Sequence, residues 1–347
     1  MATMDLRRAR ANAWTPAEDS AMKAIVYDNY GSPDVLRCED IEKPTAGANE
    51  VLVNVRAASV NPLDWHFMRG SPYGLRMMAG LRKPKVRRLG ADVAGHVEAI
   101  GRNVTQFNPG DEVFGTCRGA FAEYACASEQ AVAAKPGNLT FEQAASVPVA
   151  AITALQALRD KGRIQPGQKV LINGAAGGVG TFAVQIARSF GADVTGVCST
   201  KNVDMVRSIG ADHVCDYIKE DFTKSGKQYD LIVDCVGNHS LPAYRRVLTP
   251  RGTYVVVGGP PGRWIGPLAL VIKTQLLSPF VSQKLATIMA NLRQADLASM
   301  RQLIEAGKVT PVIDRRYGLT EVPEAIRYLE EGHARGKVVI TVGRDAS

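Results

Sequence analysis

From Met22 onward the chain alternates short apolar runs, at 24–27 and 51–57, with turn clusters such as Gly31-Ser32-Pro33 and Lys43-Pro44-Thr45-Ala46-Gly47, a rhythm that predicts β-strands. Further short strands are expected at 93–100, 111–114 and 123–127, with Asn108-Pro109-Gly110-Asp111 as the turn between the first two. Such a succession builds a small β-barrel or sandwich. Near Phe141 the period changes: residues 140–145 and 152–158 have helical spacing, and from Lys169 apolar strands alternate with amphipathic helices. Strands predicted at 170–173, 193–198, 213–216, 231–235 and 253–258 imply a parallel α/β sheet. The run Lys337-Val338-Val339-Ile340-Thr341-Val342 predicts a last strand that returns to the first domain. Between Trp264 and Met289 an apolar stretch, 268–277, is broken by Lys273, Thr274 and Gln275 and flanked by Pro267 and Pro279, so it is too interrupted to span a bilayer. Two readings stay open for it: a helix that packs on another subunit or covers the cleft, and a lipid-touching lid suggested by Trp264 and Lys273.

A chain of 347 residues exceeds what one core usually supports, so two domains are expected. With 46% hydrophobic and 22% charged residues, it is neither largely disordered nor fibrous. Much of the formal charge of +8 comes from two clusters, Arg7, Arg8 and Arg10, then Arg82, Lys83, Lys85, Arg87 and Arg88. No zinc-finger spacing, aromatic RNA-binding strand or basic zipper accompanies them, so no nucleic-acid partner is expected; a face turned to cofactor phosphate or to an anionic membrane surface is the better reading. The six cysteines form no CxxC pair and lie mostly among apolar residues, as core thiols in a reducing compartment do. Residues 1–21 read as a flexible extension: Arg7, Arg8, Arg10, Asn12 and Pro16 interrupt any stretch of signal length, while the Arg-rich start leaves a transit peptide open. The expected location is cytoplasmic.

The informative chemistry is a strand, a glycine-rich turn and a helix in that order: Lys169-Val170-Leu171-Ile172-Asn173, then Gly174-Ala175-Ala176-Gly177-Gly178-Val179-Gly180, then the apolar-periodic 182–190. Glycines are needed where the backbone turns sharply, approaches a pyrophosphate and lets helix pack on strand, and the helix N-terminus supplies N–H donors and partial positive charge. An NAD site usually carries an acid at the end of the next strand. Here that strand ends Val197-Cys198-Ser199-Thr200-Lys201-Asn202, with two hydroxyls and a lysine that suit a 2′-phosphate, so NADPH is the expected cofactor. Lys201 as a solvated helix-start residue is the rival explanation.

Taken together, Gly90-Ala91-Asp92-Val93-Ala94-Gly95, Pro109-Gly110-Asp111-Glu112-Val113, the Ala175-x-Gly177-x-x-Gly180 turn and Gly336-Lys337-Val338-Val339 resemble the medium-chain dehydrogenase/reductase superfamily, over nearly all of 22–342. Ser59-Val60-Asn61-Pro62-Leu63-Asp64-Trp65 is similar to its quinone oxidoreductase branch, whose members reduce quinones or the double bond of α,β-unsaturated carbonyls. The resemblance implies an α/β fold class, with a Rossmann-type doubly wound parallel sheet plus a GroES-like β-barrel catalytic domain. It divides the chain into the extension 1–21, catalytic domain 22–147, NADPH-binding domain 148–292 and a return to the catalytic domain over 293–347. It also implies cofactor contacts: Thr153 near the nicotinamide, Tyr217 beside the 2′-phosphate with Lys201, Gly237 near the adenosine half, and the backbone of Val257 and Gly258 at the carboxamide. In the zinc-dependent branch a Cys, a His and a further Cys hold the metal; the matching places here are Asn61, Ala91 and Val149, so no metal is expected.

Without a metal, hydride transfer relies on positioning and on hydrogen bonds to the acceptor carbonyl, which suits conjugated acceptors. The expected reaction is NADPH-dependent reduction of a small lipophilic quinone or enone. Asn61 is the candidate for orienting the carbonyl and Asp64 for the surrounding network, with a turn-forming role open for both. The rivals are an enoyl-thioester reductase, with 82–88 holding a substrate phosphate, and a catalytically weak NADPH-binding redox sensor. A homodimer and a peripheral membrane contact are further expectations.

Overall fold

The computed structural model describes residues 21–258 and 282–343. Residues 1–20, and the part of the interrupted apolar stretch from Trp264 to 281, lie outside the described residues.

Strands β1 (Ala21–Val26) and β2 (Arg37–Glu42) form an antiparallel pair. A seven-stranded sheet follows, from β3 (Glu50–Val60), β4 (Asp92–Ile100), β5 (Glu112–Thr116), β6 (Tyr124–Ser128) and β7 (Val132–Ala134), completed near the C-terminus. Helices α1 (Pro62–Arg69) and α2 (Arg76–Ala79) leave this sheet between β3 and β4, and α3 (Phe141–Ala145) and α4 (Pro148–Gln156) lead out of it. The second sheet holds β8 (Lys169–Asn173), β9 (Asp193–Cys198), β10 (His213–Asp216), β11 (Tyr229–Asp234), β12 (Leu248–Val256) and β13 (Lys284–Thr287), all parallel, in the order β10-β9-β8-β11-β12-β13. Helices α5 (Gly178–Ser189), α6 (Val203–Ser208) and α7 (Leu241–Arg246) connect its strands, and α8 (Gln294–Glu305) follows β13. The chain then adds β14 (Ile313–Gly318), α9 (Val322–Glu330) and β15 (Lys337–Thr341), and β15 pairs antiparallel with β3. This is the expected mixed fold, a doubly wound parallel sheet beside a largely antiparallel one.

The parallel strands read as continuous apolar runs because both faces are covered. Along β8, Val170 and Ile172 face a core shared with α4 and α5, while Leu171 points to the opposite core with Ile232, Tyr244 and Tyr254. The first core also takes in Ala57, Ala94 and Phe114, so the two sheets share one interior. The antiparallel sheet has its own core, with Val53, Val93, Phe121, Ile326 and Val338.

The differences from the sequence pattern have local causes. Strand β2 reads Arg-Cys-Glu-Asp-Ile-Glu and is mostly exposed, so it carries no apolar run to announce it. Strand β12 starts already at Leu248, through a Thr-Pro-Arg-Gly stretch that has the composition of a turn. The helix expected at 152–158 begins at Pro148, whose missing N–H is harmless in a first turn. The cysteines are less uniformly core than expected: Cys38 is exposed, and only Cys198 and Cys215 are fully buried, although burial pushes the Cys117 thiol up to about 12.

Candidate functional site

Strand order reverses between β8 and β11, and in sheets of this kind the crevice outside the carboxyl ends at that point receives the ligand. The glycine-rich turn lies there. Gly174 adopts a φ of +82°, and a Cβ at Gly180 would stand 2.0 Å from the Gly174 carbonyl oxygen, so both positions exclude side chains for reasons internal to the turn. Gly177 differs: a Cβ there would meet only the Gly174 oxygen, at 3.5 Å, and would project into open space. Gly177 is also the N-cap of α5, and among the described residues no side chain caps the helix, so its first turn, Gly178 to Gly180, offers backbone N–H groups toward a ligand. Ala175 and Ala176 are buried behind the turn. An open cradle of backbone donors at a helix N-terminus fits a dinucleotide pyrophosphate.

Beside it, a buried carboxylate organises the loop after β11. Asp234 accepts from Asn173 Nδ2 (2.8 Å), the Gly237 amide (2.9 Å), the Val236 amide (3.1 Å) and the Tyr254 hydroxyl (2.6 Å). Its carbonyl accepts from the amides of Val257 and Gly258, at 2.9 and 3.1 Å. Burial and the adjoining carboxylate push the hydroxyls of Tyr244 and Tyr254 far up, so both stay protonated donors. Asp234 thus holds Gly237, Val257 and Gly258 in one frame at the carboxyl edge of the sheet. Nothing in the sequence pattern singles it out, beyond an acid closing an apolar strand.

At the end of β9, Ser199 is half-buried and Thr200 and Lys201 are exposed. Tyr217, about half exposed, sits at the same edge, its amide donating to the Cys198 carbonyl at 3.0 Å. Lys201 has no carboxylate partner among the described residues. Thr200 is committed otherwise than the sequence suggests: its hydroxyl donates to Asp216 at 2.6 Å, and this bond, ahead of other contacts, lowers the Asp216 carboxyl below its usual range. An acid therefore stands at this edge, supplied by the end of β10, with one oxygen turned to Thr200 and Lys219. Thr153, the remaining cofactor candidate, donates to the Val149 carbonyl of its own helix at 2.6 Å.

The fourth group lies where the two sheets meet. Asp92 is fully buried and accepts from Ser59 Oγ (2.7 Å), Asn61 Nδ2 (2.8 Å), Lys337 Nζ (3.3 Å) and the Val149 amide (2.9 Å). Lys337, 3% exposed, also donates to Asn61 Oδ1 at 2.6 Å and to the Val60 carbonyl at 3.3 Å. The cluster joins the end of β3 and the starts of β4, α4 and β15. It also touches the glycine-rich turn, because Gly336 bridges to Gly177 and the Lys337 stem packs 3.2 Å from a Cβ built on Gly178. Sequence reasoning used Asp92 and Lys337 only as marks of a family pattern. The available signal was a charged residue opening the otherwise apolar run 337–340.

Asn61 and Asp64 both have their polar atoms engaged by neighbours within the protein. Both Nδ2 hydrogens of Asn61 are engaged, by Asp92 and by the Ser59 carbonyl, and its oxygen is held by Lys337, so it serves the cluster and does not present a free donor. The Asp64 oxygens accept from the amides of Asn61 (2.8 Å) and Gly90 (3.0 Å), a capping arrangement that fixes the start of α1 and ties it to the segment before Asp92. Burial, with the Asp92 charge, raises the Asp64 carboxyl to about 7 against the pull of these N–H groups and Lys337. The folded state therefore holds a proton that the unfolded chain has lost above pH ~4, and this contribution to stability falls as pH rises toward 7. Unfolding in denaturant at a series of pH values is expected to show the stability of the wild type relative to Asp64→Asn falling by up to about 1.4 kcal/mol per pH unit across that window. A difference independent of pH would mean that Asp64 stays ionised there.

Among the described residues no group of three or more His, Cys, Asp or Glu side chains is placed to hold a metal ion, and no helix is long and apolar enough to cross a membrane. Residues 47–137 match the family described as alcohol dehydrogenase GroES-like domain, and residues 209–340 the family described as zinc-binding dehydrogenase. The chain is 36% identical to the mouse mitochondrial NAD(P)H oxidoreductase RTN4IP1, over 96% of this chain and 92% of that one. It is 34% identical to a 2-methylene-furan-3-one reductase of Solanum lycopersicum, over 92% of this chain and 79% of the other. The structure of the quinone oxidoreductase from Coxiella burnetii superposes with a TM-score of 0.82 at 32% identity, covering 93% of this chain and all of that one. The chain belongs to the medium-chain dehydrogenase/reductase superfamily, as an oxidoreductase of its quinone oxidoreductase-like branch that uses a nicotinamide cofactor.

Proposed function

We propose that the protein reduces a lipophilic quinone or α,β-unsaturated carbonyl with NADPH, without zinc. The observation that carries this reading is the Asp92–Asn61–Lys337 cluster. The three positions at which a zinc-dependent relative would hold its metal carry Asn61, Ala91 and Val149. Two of these side chains have no ligand atom, and the Asn61 oxygen is already taken by the Lys337 ammonium. Zinc does not fit this set. A fixed ammonium ion sits there, next to the turn that fits the pyrophosphate, and a fixed cation at that place favours negative charge developing on an acceptor.

NADPH, when bound, supplies the hydride. Gly177 and the first turn of α5 would hold its pyrophosphate, Val257 and Gly258 of the frame around Asp234 its carboxamide, Gly237 of the same frame its adenosine half, and Lys201 with Tyr217 and Ser199 its 2′-phosphate. Lys201 supports the choice of NADPH because it is exposed and has no carboxylate partner among the described residues, while Asp216 is neutralised in part by Thr200 and Lys219. A conjugated acceptor suits a site whose polarising groups act from behind Asn61, since quinones and enones delocalise the incoming charge.

The test is oxidation of NADPH and NADH in the presence of a chelator, across quinones, enones and enoyl-thioesters, for wild type and Lys201→Ala. Chelator-resistant turnover is expected, with an NADPH preference that drops by about 10- to 100-fold in the variant, the worth of a charge-assisted phosphate contact. Metal-dependent or NADH-selective turnover would overturn the reading, and so would NADPH binding with no turnover on any acceptor.

A further inference from the structure

The excursion between β3 and β4 is pinched at its base by Asp64, which bonds Asn61 at one end and Gly90 at the other. Its far end carries three long apolar side chains in the open: Met77 is 77% exposed, Met78 80% and Leu81 72%. The backbone there is held by contacts on several sides. The Tyr30 hydroxyl donates to the Gly80 carbonyl at 2.6 Å, the Lys85 amide donates to Ala79 at 2.8 Å, and Arg76 lies against the rings of Tyr30 and Tyr73 while donating to the Gly70 carbonyl. Gly80, at a φ of +122°, folds residues 81–85 back beside α2, which sets Arg82, Lys83 and Lys85 next to the apolar tip. These three cations are exposed and have no carboxylate partner among the described residues, unlike Arg87, which pairs with Asp28. No Asp or Glu occurs between Asp64 and Asp92.

We infer that this tip is a docking surface for a bilayer containing anionic phospholipid. Charge complementarity selects the occupant: an acid-free stretch with three cations that lack a carboxylate partner among the described residues, beside three protruding apolar side chains, matches a surface that is anionic at headgroup level and apolar beneath it. The side chains project singly from a short helix and a tight turn, a shape suited to shallow insertion. The excursion runs between Asn61 and Asp92, so docking would place the base of the tip, and the cluster there, at the membrane face. This part rests on the quinone or enone reading, because a lipophilic acceptor resides in the bilayer.

The experiment is flotation of the purified full chain with vesicles of phosphatidylcholine alone and of phosphatidylcholine with phosphatidylglycerol, at low and high salt, with no substrate present. Binding is expected to the anionic vesicles and to weaken with salt. Partitioning should fall about fivefold per cation in Lys83→Gln and Lys85→Gln, and at least about tenfold in Met77→Ser/Met78→Ser/Leu81→Ser. Reduction of a water-soluble quinone without vesicles should be unchanged in all of them, since none touches the cluster or the glycine-rich turn. This separates the docking surface from the catalytic reading, as each assay succeeds or fails without the other. Absence of binding to either vesicle, or binding undiminished in both sets of variants, would overturn the proposal. So would sedimentation showing self-association that the triple variant abolishes while vesicles are ignored, or capture by an acidic polypeptide with no vesicle binding.

Discussion

Lys337→Met is expected to lower the unfolding free energy by about 3–5 kcal/mol, because it removes one partner of a buried ion pair and leaves the other uncompensated. Methionine keeps a flexible apolar stem to pack on the glycine-rich turn, so the loss is that of the ammonium. Asp92 would retain its neutral donors, Ser59, Asn61 and the Val149 amide, yet carry its charge at zero exposure, and Asn61 Oδ1 would lose its donor at 2.6 Å. Removing the only positive charge of the cluster should also reduce kcat/KM by about 10²- to 10³-fold, the range for a fixed electrostatic group at the reacting centre. The double variant Lys337→Met/Asp92→Asn separates these effects, because neutralising both partners should recover most of the stability. Recovered stability with activity still lost would establish the charge as part of the chemistry. Denaturant melts and steady-state rates within about 1 kcal/mol and threefold of wild type for the single variant would remove the cluster from both roles.

The second large effect distinguishes two glycines of one turn. In Gly180→Ala the new Cβ would meet the Gly174 carbonyl oxygen at 2.0 Å, the Gly174 carbonyl carbon at 2.8 Å and the Ala175 Cα at 2.9 Å, all backbone atoms with little freedom to move. Alanine is favoured over glycine inside a helix by about 1 kcal/mol, so an uncrowded site would gain stability; here α5 must shift off β8, and a net loss of about 1–3 kcal/mol is expected. NADPH affinity should fall with it. Gly177→Ala should behave in the opposite manner, with an unchanged melting temperature, since its Cβ meets one atom at an ordinary 3.5 Å, and a Kd for NADPH raised at least about tenfold, since that Cβ fills the space through which the pyrophosphate approaches. Calorimetry with NADPH and thermal melts of both variants decide this. Equal affinity of Gly177→Ala and wild type would show that the cradle is not where the pyrophosphate lies.

The site residues differed in how legible they were. Gly174, Gly177 and Gly180 could be read directly, because strand, turn and helix are consecutive and each glycine answers to its near neighbours. Ser199, Thr200 and Lys201 were legible as the end of the next strand, but the acid at that edge was not: Asp216 reaches Thr200 only because β10 lies beside β9. Asn61 is legible by its motif, but the partners that occupy its amide are not, since an amide's free donors are countable only when its neighbours are known. Asp234 closes an apolar run and Lys337 opens one, and a single charge at the edge of such a run does not show that it will be buried.

The sequence alone determined the alternation of strand and helix from Lys169, the glycine-rich turn and the short-strand rhythm before Phe141, because these depend on side-chain period and backbone freedom over a few residues. The tertiary structure decided which charges are buried and what they face. Lys337 meets Asp92 across 245 positions of sequence and Asn61 across 276, through the pairing of β15 with β3 and of β3 with β4. Burial of a charge is tolerable only where partners arrive from several elements at once, and no local pattern records their arrival.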